Sequence, residues 1–291
     1  MDRLLLVALL TSVIHLINTL IYSARVSGVI TGRLATAISL FNVIFLLSST
    51  ANMIQGPLLA TMVEGAIHRG GMESAIAGSG MAGDFPSGYL YQVGILAGDF
   101  RLVILSAAVG TIIGILLMPA FETVFVKFIL IFERVGTVPG AVLSLIFPRG
   151  GPARRTASIT FPARPVPGIR GEAALRGLPP MFLIMNVIVT GIFTTGVLSA
   201  LFAGALYPGY RASATMLASV VNGMAQVLFA TVVDPAAARI TDQAVSGLRD
   251  KSEVRRMAYY LAGTRLAGTF LAQAIFIPAA QLIRLVAVTI T

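Results

Sequence analysis

Residues 102–120 read LVILSAAVGTIIGILLMPA, nineteen positions without a charge. A helix needs about 20 apolar residues to cross the hydrocarbon core of a bilayer, whereas a run of 10–14 is more often a buried core helix. The stretch therefore predicts a transmembrane helix, and five other runs match it: Leu4 to Ile21, Leu34 to about Val63, Met181 to Tyr207, Ala212 to Val233, and Met257 to about Leu282. The expected fold is all-α, a polytopic integral membrane protein of about six spans. An apolar fraction of 56% and a charged fraction of 11% agree, since soluble domains carry about 25% charged residues. The apolar N-terminal run follows Arg3 like a secretory signal, but it lacks a small-residue cleavage site and reads as the first span.

Between the spans the charges are unevenly placed. Arg25 and Arg33 flank the first connection. Residues 148–180 hold half of the chain's fourteen prolines and six arginines against the single acid Glu172, and 234–256 carry five basic residues. Basic loops stay in the cytoplasm, so these three connections put both termini outside. The connection 65–100, rich in glycine and leaning acidic, reads as a non-cytoplasmic loop with room for a short interfacial helix. Gly56-Pro57 reads as a kink or the outer end of the second span.

Residues 121–147 are broken by Glu122, Lys127, Glu133 and Arg134, which predicts an interfacial or re-entrant segment. An eight-span reading, with this segment crossing as a hairpin, has the same parity. The expected organisation is a first three-helix unit over 1–147, a Pro/Arg-rich cytoplasmic linker over 148–180, and a second unit over 181–291.

A shift of 170 positions aligns Asn52 with Asn222, Leu58 with Leu228, Ala60-Thr61 with Ala230-Thr231, Val63 with Val233, and Glu64 with Asp234. Three helices per unit make the second copy enter the membrane upside down. Such inverted repeats suit alternating access, because two similar halves give two near-equivalent states. Glu64 is then expected at the outer face and Asp234 at the inner.

Polar side chains within spans are costly in lipid and are functional candidates. His15 and Asn18 share one face of the first helix, Asn52 and Gln55 one face of the second, Asn222 and Gln226 one face of the fifth. Arg265 and Gln273 lie on roughly one side of the last. With Asn42 they could line a groove for a hydrogen-bonding anionic headgroup, or simply tie helices together at about 0.6–2 kcal/mol each. Arg25 and Arg33, on the first connection, are candidates for first contact with such a headgroup, because a guanidinium fork matches anionic oxygens, and His15, Asn18, Glu64 and Asp234 are candidates for a proton or ion site.

Several classes are excluded. The chain has no cysteine, and His15 and His68 are far apart, so no local metal motif exists. There is no ATP-cradling loop, zinc-protease motif or nucleophile elbow, so neither an enzyme nor a cofactor is expected. The net charge of +9 goes with cytoplasmic loops, not with nucleic acid, because no basic–aromatic interleaving accompanies it. With no tryptophan, an interfacial belt would fall to Tyr22, Tyr89, Tyr91, Tyr207, Tyr210, Tyr259 and Tyr260.

The stretch Asn18-Thr-Leu-Ile-Tyr-Ser-Ala-Arg25-Val-Ser-Gly28, with Thr31-Gly-Arg33 and Ser39-Leu-Phe-Asn42, resembles a known family. So do Thr50-Ala-Asn-Met-Ile-Gln55-Gly-Pro57, Val233-Asp-Pro235 and Thr264-Arg265-Leu-Ala-Gly-Thr-Phe-Leu-Ala-Gln273. Together they are similar to the Amj family of bacterial lipid II flippases, alternate to MurJ. The resemblance implies movement of the undecaprenyl-pyrophosphate-linked peptidoglycan precursor, lipid II, between leaflets of the cytoplasmic membrane, with that lipid and membrane lipids as partners. A small-solute or ion transporter and a non-transporting scaffold of cell-wall assembly are the alternatives.

Overall fold

The computed structural model describes residues 2–71, 87–147 and 178–290. The linker 148–180 thus lies outside the described residues but for its last three. Among the described residues the chain is helical throughout, and six helices are long and apolar enough to cross a membrane.

Helix α1 (Arg3–Thr31) is capped by the Asp2 side chain and ends at Gly32, whose φ of 69° only glycine adopts without strain. Helix α2 (Leu34–Arg69) follows at once. Pro57 lies inside α2 and not at its end: the span continues three turns beyond it, because Leu59, Val63, Ala66 and Ile67 bury their side chains there.

Helix α3 (Ser87–Val135) is 49 residues long, about 70 Å at 1.5 Å per residue. It corrects two expectations. Residues 87–100 are its first turns and not loop, since Tyr89, Val93, Leu96 and Phe100 recur at helical spacing and are buried. Residues 121–135 are its last turns and not a separate interfacial segment. The charges that interrupt the run have partners: Glu122 pairs with Arg255, and Glu133 accepts from Thr36 and lies 3.8 Å from Arg33. Phe125, Phe128, Ile129 and Ile131 are buried between them. Only α4 (Val138–Ile146) is a short helix of its own, with Val142, Leu143, Ile146 and the following Phe147 exposed.

Helix α5 (Pro180–Leu206) leads through a single turn at Pro208–Tyr210 to α6 (Arg211–Leu228). A wider π-helical turn, Phe229–Val233, joins α6 to α7 (Asp234–Val245). The expected loop 234–256 therefore shrinks to a turn at 246–250 before α8 (Lys251–Thr289).

Close backbone approach explains the packing. A Cβ on Gly110 would stand 2.1 Å from the Ser12 carbonyl oxygen, and one on Gly114 2.8 Å from Thr19, so α3 lies directly on α1. A Cβ on Gly268 would stand 2.7 Å from the Val187 carbonyl oxygen, bringing α8 equally near α5. Small residues permit such contacts where lipid offers no hydrophobic drive for helix association. Hydroxyls then reach carbonyls across the seams: Ser12 to Ser106 and Ser27 to Glu122 on α1/α3, Ser199 to Phe276 on α5/α8.

These bonds give helix directions. α1 and α3 run parallel, as do α5 and α8, and the second pair runs opposite to the first. α2 folds back against α1, and α6 against α5. Two apolar clusters fill the ends. One, with Phe41, Phe125, Phe128 and Met257, lies at the basic end beside Arg25; the other, around Phe100, Phe202 and Phe276, lies at the far end beside Glu64.

Candidate functional site

Helix α1 carries Thr11, His15, Asn18, Tyr22 and Arg25 at steps of four, three, four and three. At 3.6 residues per turn this spacing makes one stripe, about 20 Å long. Thr11 and Asn18 face α2, Tyr22 faces α5, and Arg25 faces the junction of α6 and α7. Thr11 accepts a 2.7 Å bond from Gln55 Nε2 of α2, and Asn18 Oδ1 accepts a 3.2 Å bond from Ser48. Tyr22 donates to Asn186 Oδ1 of α5 at 3.5 Å, while Asn186 Nδ2 donates to the Leu261 carbonyl and to Thr264 Oγ1 of α8 at 2.9 and 2.8 Å. Arg25 pairs with Asp234, where α6 becomes α7. A polar seam thus runs along the bundle from α1 to α2, α5, α8 and the junction of α6 and α7.

At its middle are unpartnered polar atoms. His15 is 7% exposed and its Nδ1 has no hydrogen bond; neither has Arg265 Nε on α8, whose charge is near enough to act on the imidazole. Asn222 Oδ1 is the third such atom, lying where a Cβ on Gly196 would be.

The predicted residues part company around this seam. His15, Asn18, Gln55, Arg25 and Arg265 lie on or beside it. Asn42, Asn52 and Gln226 are exposed, so Asn52 and Gln55 do not share an environment. Gln273 does not meet Arg265: it exchanges hydrogen bonds with Arg101 toward the far end, donating to the Arg101 carbonyl at 2.8 Å. Arg33 is exposed and available, whereas Arg25 is held by Asp234. Glu64 and Asp234 lie at opposite ends of the bundle, each paired with an arginine, Glu64 with Arg211 at 2.9 Å. Those pairs argue against free carboxylates awaiting a proton. Tyr22 and Tyr89 are buried, 4% and 1% exposed, and do not belong to a belt. Tyr22 serves the seam, and Tyr89 donates to the Ala205 carbonyl.

Sequence reasoning passed over Thr11, Tyr22 and Asn186. The four–three spacing on α1 was a usable signal for the first two. Asn186 stands alone in a long apolar run, and nothing local marks its partners.

At the far end, Asp2, Arg3, Arg69 and Asp99 line a cavity of about 560 Å³ between α1, α2 and α3. It holds carboxylates and guanidinium groups together and opens where the α1 stripe begins. Among the described residues, no group of His, Asp and Glu is arranged to hold a metal ion.

Comparison with known proteins adds to this geometry. No solved structure matches the chain. A curated protein of Bacillus subtilis (strain 168) named "Lipid II flippase Amj" is 32% identical over 270 residues, covering 93% of this chain and 91% of that protein. The family model described as Amj, alternate to MurJ, matches residues 10–287, which include the whole polar seam, and the chain belongs to that family.

Proposed function

We propose that this protein is a lipid II flippase of the bacterial cytoplasmic membrane. It carries the undecaprenyl-pyrophosphate-linked precursor from the inner to the outer leaflet by alternating access. The single observation that carries this reading is the polar seam on α1, which gives a hydrated headgroup hydrogen-bonding partners across a bilayer while its polyprenyl tail stays in lipid. The family and the named relative support the same reading.

In this mechanism 1–147 and 181–291 are two inverted triplets joined by the linker 148–180. The reading is supported by ion pairs that cross from one triplet to the other at both ends. Arg25–Asp234 and Glu122–Arg255 close the basic, inward end; Glu64–Arg211 closes the outward end. Opening one end at a time exposes the seam to one leaflet at a time. Glu122–Arg255, at the inward end, is the least exposed of the three pairs, its side chains at 13% and 23% against 46% for Asp234 and 52% and 45% for Glu64 and Arg211. Inward opening therefore breaks the stronger contacts, and substrate must supply that energy.

Arg33 makes first contact with the pyrophosphate, because its guanidinium fork matches phosphate oxygens and is exposed. Arg265 receives it in transit. An inside-negative potential favours outward movement by about 2.3 kcal/mol per negative charge per 100 mV, so no nucleotide-driven step is needed. Proteoliposomes loaded with labelled lipid II test the reading: headgroup should become accessible from the opposite leaflet, and well-folded protein that leaves it inaccessible would refute it.

A further inference from the structure

We infer that His15 and Arg265 form an oxyanion-binding station in the middle of the bundle, and that its ligand is the diphosphate of a polyprenyl-linked headgroup. The inference deepens the flippase reading and rests on it for the identity of the lipid, though the site itself rests on charge and packing.

Charge compensation is the first argument. Arg25, Arg33, Arg211, Arg249 and Arg255 each have a carboxylate within 4 Å. Arg265 has none among the described residues, and it occupies the centre of α8, fourteen residues from Lys251. A guanidinium at that depth without a counter-charge is unfavourable in lipid, and in membrane proteins such residues face a partner or a hydrated path. Among the described residues no carboxylate lies within 4 Å of it. An anion arriving from outside the chain would complete the site.

Hydrogen bonding is the second argument, and it is independent. Arg265 Nε is out of contact with solvent and has no acceptor. It is a fixed donor, able to do nothing except give a hydrogen bond. His15 Nδ1, equally buried and unpartnered, sits on the neighbouring helix, where the Arg265 charge reaches it. An imidazole nitrogen can present an N–H to an acceptor. An unpartnered guanidinium N–H and an unpartnered imidazole nitrogen that takes an N–H in one of its tautomers, on two adjacent helices, suit an acceptor-rich group, and a diphosphate offers many oxygens.

The chain also excludes other occupants. A cation would be repelled by Arg265 in the absence of a carboxylate. A neutral sugar would leave the guanidinium uncompensated. Asn222 Oδ1, the third unpartnered atom, is an acceptor against Gly196 of α5 and would repel an oxyanion, so it lies outside the station. Above and below, Thr11–Gln55 and Asn18–Ser48 are already paired. They bracket His15 on the α1 stripe, which makes this a discrete stop along the seam and not a uniformly wet channel.

The full chain in nanodiscs of neutral lipid tests the station, with farnesyl diphosphate as the lipid probe, inorganic pyrophosphate as the free anion and farnesol as the uncharged control. Farnesyl diphosphate should bind and farnesol should not. Pyrophosphate should compete, since the oxyanion is what the donors recognise; failure to compete would show that the tail, bound elsewhere, carries affinity, and would overturn the proposal. His15→Gln and Arg265→Gln should each weaken binding by about tenfold or more, Arg265→Lys should retain part of it, and Arg284→Gln, exposed on the same helix, should change nothing. If a glutamine variant fails to elute as a monodisperse species, His15→Asn and Arg265→Lys decide the question. Unchanged binding in folded His15 and Arg265 variants sinks the station while wild-type translocation of lipid II keeps the flippase reading. Charge-dependent binding at these two residues by a protein that does not translocate lipid II does the reverse.

Discussion

Asn186 of α5 ties α1 to α8 through one side chain. Its one amide joins Tyr22 of α1 to Leu261 and Thr264 of α8. Replacement by leucine keeps the volume nearly constant and strands the Tyr22 hydroxyl in a buried place. Asn186→Leu should lower stability by about 1–2 kcal/mol, read as the midpoint of unfolding in mixed detergent, while Asn52→Leu, on an exposed flank, should leave that midpoint in place. The ion pair Glu122–Arg255 makes a similar comparison. Glu122→Ala leaves a half-buried guanidinium without its partner and should cost about 2 kcal/mol, whereas replacing both members with apolar residues should cost less. A double-mutant cycle measures the coupling.

At the scale of the element, the seams between parallel helices depend on missing side chains. Gly110 and Gly98 both lie on α3, yet a Cβ at Gly110 would collide with the Ser12 backbone while one at Gly98 meets nothing within 4 Å. Backbone cannot give way as a flexible side chain can. Gly110→Ala should therefore destabilise the protein by about 1–3 kcal/mol, and Gly98→Ala should be neutral or slightly stabilising, since alanine is the better helix former. Equal thermal midpoints for the two variants would contradict the close approach. The long helix α3 also shows why hydropathy misplaced its ends. Glu122 and Glu133 look like interruptions in one dimension, but their arginine partners lie on α8 and just ahead of α2, far away in the chain. Similarly, Tyr89 and Phe100 are held by α5 and α8, which no local window includes.

For the whole molecule, the ends of the bundle are the places to test alternating access. The chain has no native cysteine, so introduced pairs report without background. Cysteines replacing Arg25 and Asp234 should cross-link and hold the basic end shut; cysteines replacing Glu64 and Arg211 should do the same at the far end. Either cross-link should abolish lipid II translocation, and reduction should restore it. Full translocation with both ends cross-linked in the same molecules would rule out alternating access. The separate neutralisations Asp234→Asn and Glu64→Gln, by loosening one end each, should shift accessibility labelling toward opposite faces.

Six spans, and the presence of His15, Gln55 and Arg265 as polar side chains inside them, were legible from the sequence, because burying backbone and charge in lipid imposes a cost that acts on each helix separately. Length, hydropathy and a lone polar residue are local quantities, and lipid reads them locally. The tertiary structure alone decided which amides found partners, which glycines meet another backbone, and that among the described residues Arg265 has no carboxylate within 4 Å while Arg25, Arg33, Arg211, Arg249 and Arg255 do. Those outcomes depend on residues one or two hundred positions apart coming within about 3 Å, and a contact of that range leaves no period or composition for a single sequence to display.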